Sequence, residues 1–195
     1  NGQLMFVTPA GDSLAGGYDY RGDCRWHLVE PFIFDMKPAA NGRILIGSNR
    51  LLNMPYYTAG VCEMDLVGKI YTEYRIPGGY HHDQFEMEDG NLLILTQEKN
   101  AATAEDMCVL VERESGKIIK SWDYKKVLPQ QAAKSGSWSE HDWFHNNAVW
   151  YDKRTNSLTL SGRHQDAVIN IDFETGALNW IIGDPEGWPE DMVSR

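Results

Sequence analysis

An internal repeat limits the folds open to this chain. Asn41-Gly42-Arg43-Ile44-Leu45-Ile46 matches Asp89-Gly90-Asn91-Leu92-Leu93-Ile94, and Thr155-Asn156-Ser157-Leu158-Thr159-Leu160 follows the same pattern more loosely. Each is a turn feeding a run of β-favouring residues. Downstream of each lies a second turn, at Gly68-Lys69-Ile70, Gly116-Lys117-Ile118 and Gly176-Ala177-Leu178, with an aromatic soon after at Tyr74, Trp122 and Trp180. Gly42 to Gly90 and Gly68 to Gly116 are both intervals of 48 residues, while Gly116 to Gly176 is 60 because a polar insertion over Gln130 to Glu140 intervenes. A period of about 40–50 residues with several short strands per unit is what a propeller blade leaves in a sequence, and a β-sandwich has no reason to repeat turns and aromatics this way.

The chain therefore reads as all-β, a β-propeller with about three and a half blades present. Residues 1–30 are expected to hold the closing strands of a preceding blade, with a hairpin over Met5 to Tyr18 turning at Pro9-Ala10-Gly11-Asp12. Blades are expected over 31–78, 79–128 and 143–195, with an insertion loop over 129–142. The best helical candidate is the short Tyr124 to Lys134 piece, interrupted by Pro129. Three and a half blades do not close a ring, so the chain is expected to be a piece of a larger protein. Its start at Asn1-Gly2, without a methionine or signal peptide, and its stop after a Gly/Pro/Trp-rich stretch point the same way.

Twenty-eight acidic against 18 basic side chains leave a net charge of -10. Nucleic-acid and anionic-membrane binding need clustered Lys and Arg, which are missing here. No apolar run approaches the roughly 18 residues of a membrane-spanning helix. An anionic substrate would need a local basic site. Three cysteines, Cys24, Cys62 and Cys108, are too few for a disulfide scaffold and leave the compartment open.

Of six histidines, His81, His82, His141, His145 and His164 fall near blade beginnings or at the end of the strand that follows, and His27 precedes a blade. Inner strands of several blades can bring such groups to one place whatever their spacing in sequence. The alternative is that the imidazoles cap strand ends or pack in the core. A metal centre is not expected. His81 and His82 would point to opposite faces of a strand, and His141 with His145 has the zinc-protease spacing but Asp142 where that motif has Glu. Ser161-Gly162-Arg163-His164-Gln165 ends a strand at the level where the earlier copies have Asn49 and Gln97, so three blades offer a polar group at one position. A guanidinium there provides a planar fork of donors suited to a tetrahedral oxyanion, or else a salt bridge.

His81-His82-Asp83 leading into Glu88-Asp89-Gly90-Asn91-Leu92-Leu93-Ile94-Leu95, then Asp142-Trp143-Phe144-His145-Asn146-Asn147-Ala148, Ser161-Gly162-Arg163-His164-Gln165 and Trp180-Ile181-Ile182-Gly183, closely resemble the bacterial arylsulfate sulfotransferases. The resemblance runs from about the second blade to the end. It implies a six-bladed, periplasmic or secreted enzyme that moves a sulfuryl group from a phenolic sulfate ester to another phenol. The expected partners are those two small molecules, and no cofactor or nucleotide sulfate donor is needed. The implied route is ping-pong through a sulfated histidine. A homodimer is one assembly compatible with this reading. Carried over by motif, one or both of His81 and His82, together with His145 and Arg163, are catalytic, with Asn147, Gln97 and Trp143 as substrate contacts. Phe144 and Tyr80 are further aromatics that could stack on an aryl ring, and for these two and Trp143 the alternative is packing in the core. The family's nucleophilic histidine lies C-terminal to its arginine. Only His164 follows Arg163, and strand alternation turns it away, so the nucleophile is expected outside this chain.

Two rival readings remain at this level. One is a non-catalytic propeller that binds a partner on its rim, which requires the histidines and Arg163 to scatter instead of converging. The other is a carboxylate hydrolase using Asp83 and Asp142.

Overall fold

A computed structural model describes residues 3–8, 15–29, 32, 34–53, 56–131, 135–184 and 186–193. The chain divides into two compact units, Asn1–His81 and His82–Arg195.

In the first unit, β1 (Met5–Val7), β2 (Gly16–Tyr18) and β3 (Cys24–His27) form a three-stranded antiparallel sheet. The hairpin expected over Met5 to Tyr18 is present as the Met5↔Tyr18 pairing, and its turn at 9–12 lies outside the described residues. The second sheet comprises β4 (Lys37–Pro38), β5 (Ile44–Gly47), β6 (Leu51–Asn53), β7 (Tyr57–Met64) and β8 (Ile70–Tyr80). The long β7 pairs with β5 and then β6 along its length, and also with β8. The ladder shifts register between Thr58 and Gly60, where a Cβ on Gly60 would stand 1.8 Å from the Tyr74 carbonyl oxygen.

In the second unit, β9 (Gln84–Glu86), β10 (Leu92–Thr96), β11 (Met107–Val111) and β12 (Ile118–Asp123) form one antiparallel meander. A second follows in β13 (Asn146–Asp152), β14 (Ser157–Gly162), β15 (Ala167–Asp172) and β16 (Leu178–Gly183). Four-stranded meanders of this kind are blade sheets. Every residue of β5 and of β10 is buried, as in strands covered on both faces. Trp122 packs on Phe173 with ring centroids 5.0 Å apart and donates its indole N–H to the Phe173 carbonyl, so the repeat aromatic of one sheet locks onto a turn of the next.

The repeat has a stereochemical cause. Gly42, Gly68, Gly90, Gly116 and Gly176 all have φ between 68° and 88°, the left-handed region that glycine enters without a Cβ penalty. The third copy looked looser because Asn156 takes the same role at φ 49°, and asparagine is among the few other residues that tolerate it. Of the helix expected over Tyr124 to Lys134, the described residues hold a 3-10 turn, Tyr124–Lys126, capped by the Asp123 carboxylate accepting from the Lys125 N–H, and residues 132–134 lie outside the described residues. Among the described residues the one α-helix is the four-residue Glu190–Val193, and no helix among them is long and apolar enough to cross a membrane.

All three cysteines are free thiols; Cys24 is exposed, while Cys62 and Cys108 are buried. Burial pushes the Cys62 thiol up to about 11 and drives Cys108 higher still. Thiolate is the reactive form, so iodoacetamide at neutral pH is expected to alkylate Cys24 in the folded protein and leave Cys62 and Cys108 until denaturant is added. Peptide mapping that finds native Cys62 labelled as fast as Cys24 would contradict this packing.

Candidate active site

The second unit gathers its chemistry at strand ends. In each meander alternate strands run the same way, so entries to β9 and β11 lie at the same end as the exit from β10, and the entry to β13 lies beside the exit from β14. His82 precedes β9, Glu105 precedes β11, Gln97 follows β10, His145 precedes β13 and Arg163 follows β14. The 18-position separation of His145 and Arg163 is one hairpin: Asn146 pairs with Gly162, and the Arg163 N–H donates to the His145 carbonyl at 3.2 Å.

His145 is the hub. Its Nδ1 lies 2.6 Å from Asp142 Oδ2 and 3.1 Å from Glu105 Oε2, while its Nε2 lies 3.3 Å from an Arg163 guanidinium nitrogen. A guanidinium only donates, so Nε2 accepts and the ring proton sits on Nδ1, shared between the two carboxylates. His82 Nε2 reaches the same Glu105 oxygen at 3.0 Å, and the His82 and His145 rings stand 5.0 Å apart. His164 stacks on His145 at 4.5 Å and 29°, with its Nδ1 2.6 Å from the Asp142 carbonyl. Glu105 is wholly buried and His145 nearly so, whereas Arg163 is exposed.

The backbone is strained where these groups converge. His82, Glu105 and His145 each have φ of 54°, a left-handed conformation that costs a side-chain-bearing residue about 1–2 kcal/mol. Such outliers persist where surrounding contacts over-determine them, and they cluster at functional sites. Here the contacts are visible. Gln97 Oε1 accepts from the Glu105 N–H at 3.1 Å, and the Asn146 N–H donates to the Glu105 carbonyl. Buried Asn146 donates its side-chain amide to the Ala148 and Ser161 carbonyls and accepts from the Tyr124 hydroxyl. Asp83 Oδ2 accepts from the Val149 N–H at 2.9 Å, joining the two meanders at the register shift in β13. Phe144 packs so closely under the turn that a Cβ on Gly162 would meet its ring at 2.6 Å.

Several expectations need correcting. Gln97, expected as a substrate contact, is half-buried and accepts the Glu105 N–H through its side-chain oxygen. Trp143 was expected to offer a face to an aryl ring; it is fully buried and its indole N–H donates to Asp106 Oδ2, so no face is exposed. Phe144 and Tyr80 are fully buried core residues as well. The alternation that would turn His164 away from Arg163 does not operate. β14 ends at Gly162 and Arg163–Gln165 form a 3-10 turn, which brings His164 against His145. His141 is exposed and bound to the Ala102 carbonyl, and no helix joins it to His145. His81 is buried with its ring edge-on to Tyr57, and Asn147 is exposed at the start of β13. Asn49 follows β5 in the first unit.

Glu105 went unread in the sequence, and His164 was read as turned away. A usable signal existed for Glu105, which stands two residues before its strand as His82 does before its own. The donor atoms of Asp142, His145 and His164 lie within 4.8 Å of one another, the separation a metal ion requires. Each is already hydrogen-bonded within the group, and the Arg163 cation stands against the same imidazole, so these residues fit a proton-bearing network better than a cation site.

Blade sheets of this kind, with a histidine–arginine cluster at their strand ends, define a β-propeller protein. Solved structures agree on the fold: a protein of unknown function from Bacteroides caccae (TM-score 0.56, 14% identity, covering 88% of this chain and 60% of that one) and virginiamycin B lyase from Staphylococcus aureus (TM-score 0.54, 13% identity, 94% and 54%). The chain belongs to the arylsulfotransferase (ASST) family, whose pattern it matches over residues 1–195. It is 22% identical to arylsulfate sulfotransferase AssT of Escherichia coli O6:H1 over 91% of its own length and 38% of that protein. Against AssT of Lelliottia amnigena the figures are 23%, 68% and 29%. The chain thus spans well under half the length of the curated relatives it matches.

Proposed function

We propose that the protein containing this chain transfers a sulfuryl group from a phenolic sulfate ester to a phenol, with Arg163, His145 and His82 forming the electrostatic side of the site. The observation that carries this reading is the His145 imidazole, held through Nδ1 by two carboxylates and presenting Nε2 to the exposed Arg163 fork. The guanidinium takes two sulfuryl oxygens, whose charge changes as the S–O bond to the aryl group breaks. The bonding pair leaves with the phenolate, which takes a proton from an imidazolium at His145 or His82. An attacking histidine supplied from outside these residues forms the S–N bond; the acceptor phenol, giving its proton to the imidazole that protonated the leaving group, then attacks sulfur, breaks the S–N bond and restores that histidine. An exported location belongs to the same reading.

Convergence of the histidines with Arg163 argues against a rim-binding scaffold. Of the two carboxylates a hydrolase reading would use, Asp83 is occupied as a backbone acceptor and Asp142 holds the His145 imidazole. The test is the full-length protein mixed with an aryl sulfate, quenched and weighed intact. The expected result is one sulfuryl group on a histidine outside residues 1–195, discharged by added phenol. Transfer without a covalent adduct overturns the ping-pong route, and absence of both adduct and transfer overturns the assignment.

A further inference from the structure

We propose that Glu105 is a positioning residue whose single carboxylate oxygen anchors His82 and His145 together and fixes which nitrogen of each carries the proton. The kinetic part of this inference rests on the sulfuryl-transfer reading above. Glu105 Oε2 lies 3.0 Å from His82 Nε2 and 3.1 Å from His145 Nδ1. An ionised carboxylate only accepts, so the proton is on Nε2 in His82 and on Nδ1 in His145. The two imidazoles therefore present opposite ring nitrogens away from their shared anchor, and His145 turns its lone pair toward Arg163.

Glu105 has no exposed surface, and a buried carboxylate is tolerated only where donors and cations compensate it. The Gln97 amide grips its backbone at a left-handed φ, which aims the side chain between the two rings instead of along β11. Facing His145 are Glu105, Asp142, His82, His164 and Arg163, and the shared Glu105 oxygen ties the two anchored rings to one carboxylate. Glu105 touches no reacting atom. It acts by holding His145 with Nε2 free to accept from Arg163 and, once protonated, to donate to a leaving phenolate.

The experiment uses the full-length protein and its Glu105→Gln variant, which keeps the side chain's shape and removes its charge. Loss of a comparable hydrogen bond behind a working histidine lowers activity by about 10–100-fold, and we expect that fall in kcat with KM within about twofold. The acid limb of the pH–kcat profile should move as well. A fall in KM-limited binding alone, or an unchanged kcat and pH profile, overturns the proposal. A second readout needs neither variant nor turnover: 15N-histidine spectra of the wild-type protein near pH 8 should show His145 as the Nδ1–H tautomer and His82 as Nε2–H. The opposite tautomer at His145 overturns the proposal even if Glu105→Gln fails to fold. If the wild-type protein shows these tautomers but transfers no sulfuryl group, the functional reading fails and the anchoring stands.

Discussion

Arg163→Lys in the full-length protein is expected to lower sulfuryl transfer by about 10²–10³-fold, the cost of losing one preorganised donor to developing oxyanion charge. Arg163 extends from a 3-10 turn tied by its backbone to His145, and its guanidinium stands 3.3 Å from His145 Nε2 with the rest of the fork exposed to an incoming anion. An ammonium keeps the charge but is a point donor on a flexible stem, so it cannot hold two sulfuryl oxygens and the imidazole in one plane. The turn is set by Gly162 and Phe144, which the substitution does not touch, so thermal stability should be unchanged. Steady-state transfer between an aryl sulfate and a phenol checks this. Turnover within threefold of wild type would remove Arg163 from the chemistry.

Gly60→Ala should be among the most destabilising single changes in the first unit, at about 3 kcal/mol or more, because it forces a steric overlap that no side-chain rotation relieves. The added Cβ would stand 1.8 Å from the Tyr74 carbonyl oxygen and 2.8 Å from its carbon, both fixed in β8. The central β7 and its neighbour β8 would have to part where Gly60 pairs with Arg75, next to buried Tyr74, whose hydroxyl is bound to Glu63. Backbone dihedral preference has no part in it, since the conflict is one of space. Equilibrium urea unfolding would measure the loss. A midpoint within error of wild type would mean that the β7–β8 register shift is not as described.

What the sequence disclosed depended on whether a requirement was local. The blade turns were legible because a left-handed φ demands glycine at fixed places, and the asparagine substitute at 156 blurred the third copy without hiding it. His145 and Arg163 were legible as a pair because a single hairpin separates them. Glu105 was not, since its meaning comes from the gathering of four loop ends, to which it is joined by no spacing. Trp143 misled because an aromatic beside a site histidine looks like a ring platform, yet its indole serves Asp106 in the core. His164 misled because a period of two was carried past the last residue of the strand, into a turn where it no longer applies.

The shared left-handed backbone of His82, Glu105 and His145 makes this region an obstacle to anyone wishing to harden the molecule. Glycine at each position would relieve about 1–2 kcal/mol of backbone strain but strip a hydrogen-bonded side chain from the cluster and leave its partners unpaired, so the strain cannot be removed without dismantling the contacts that hold it.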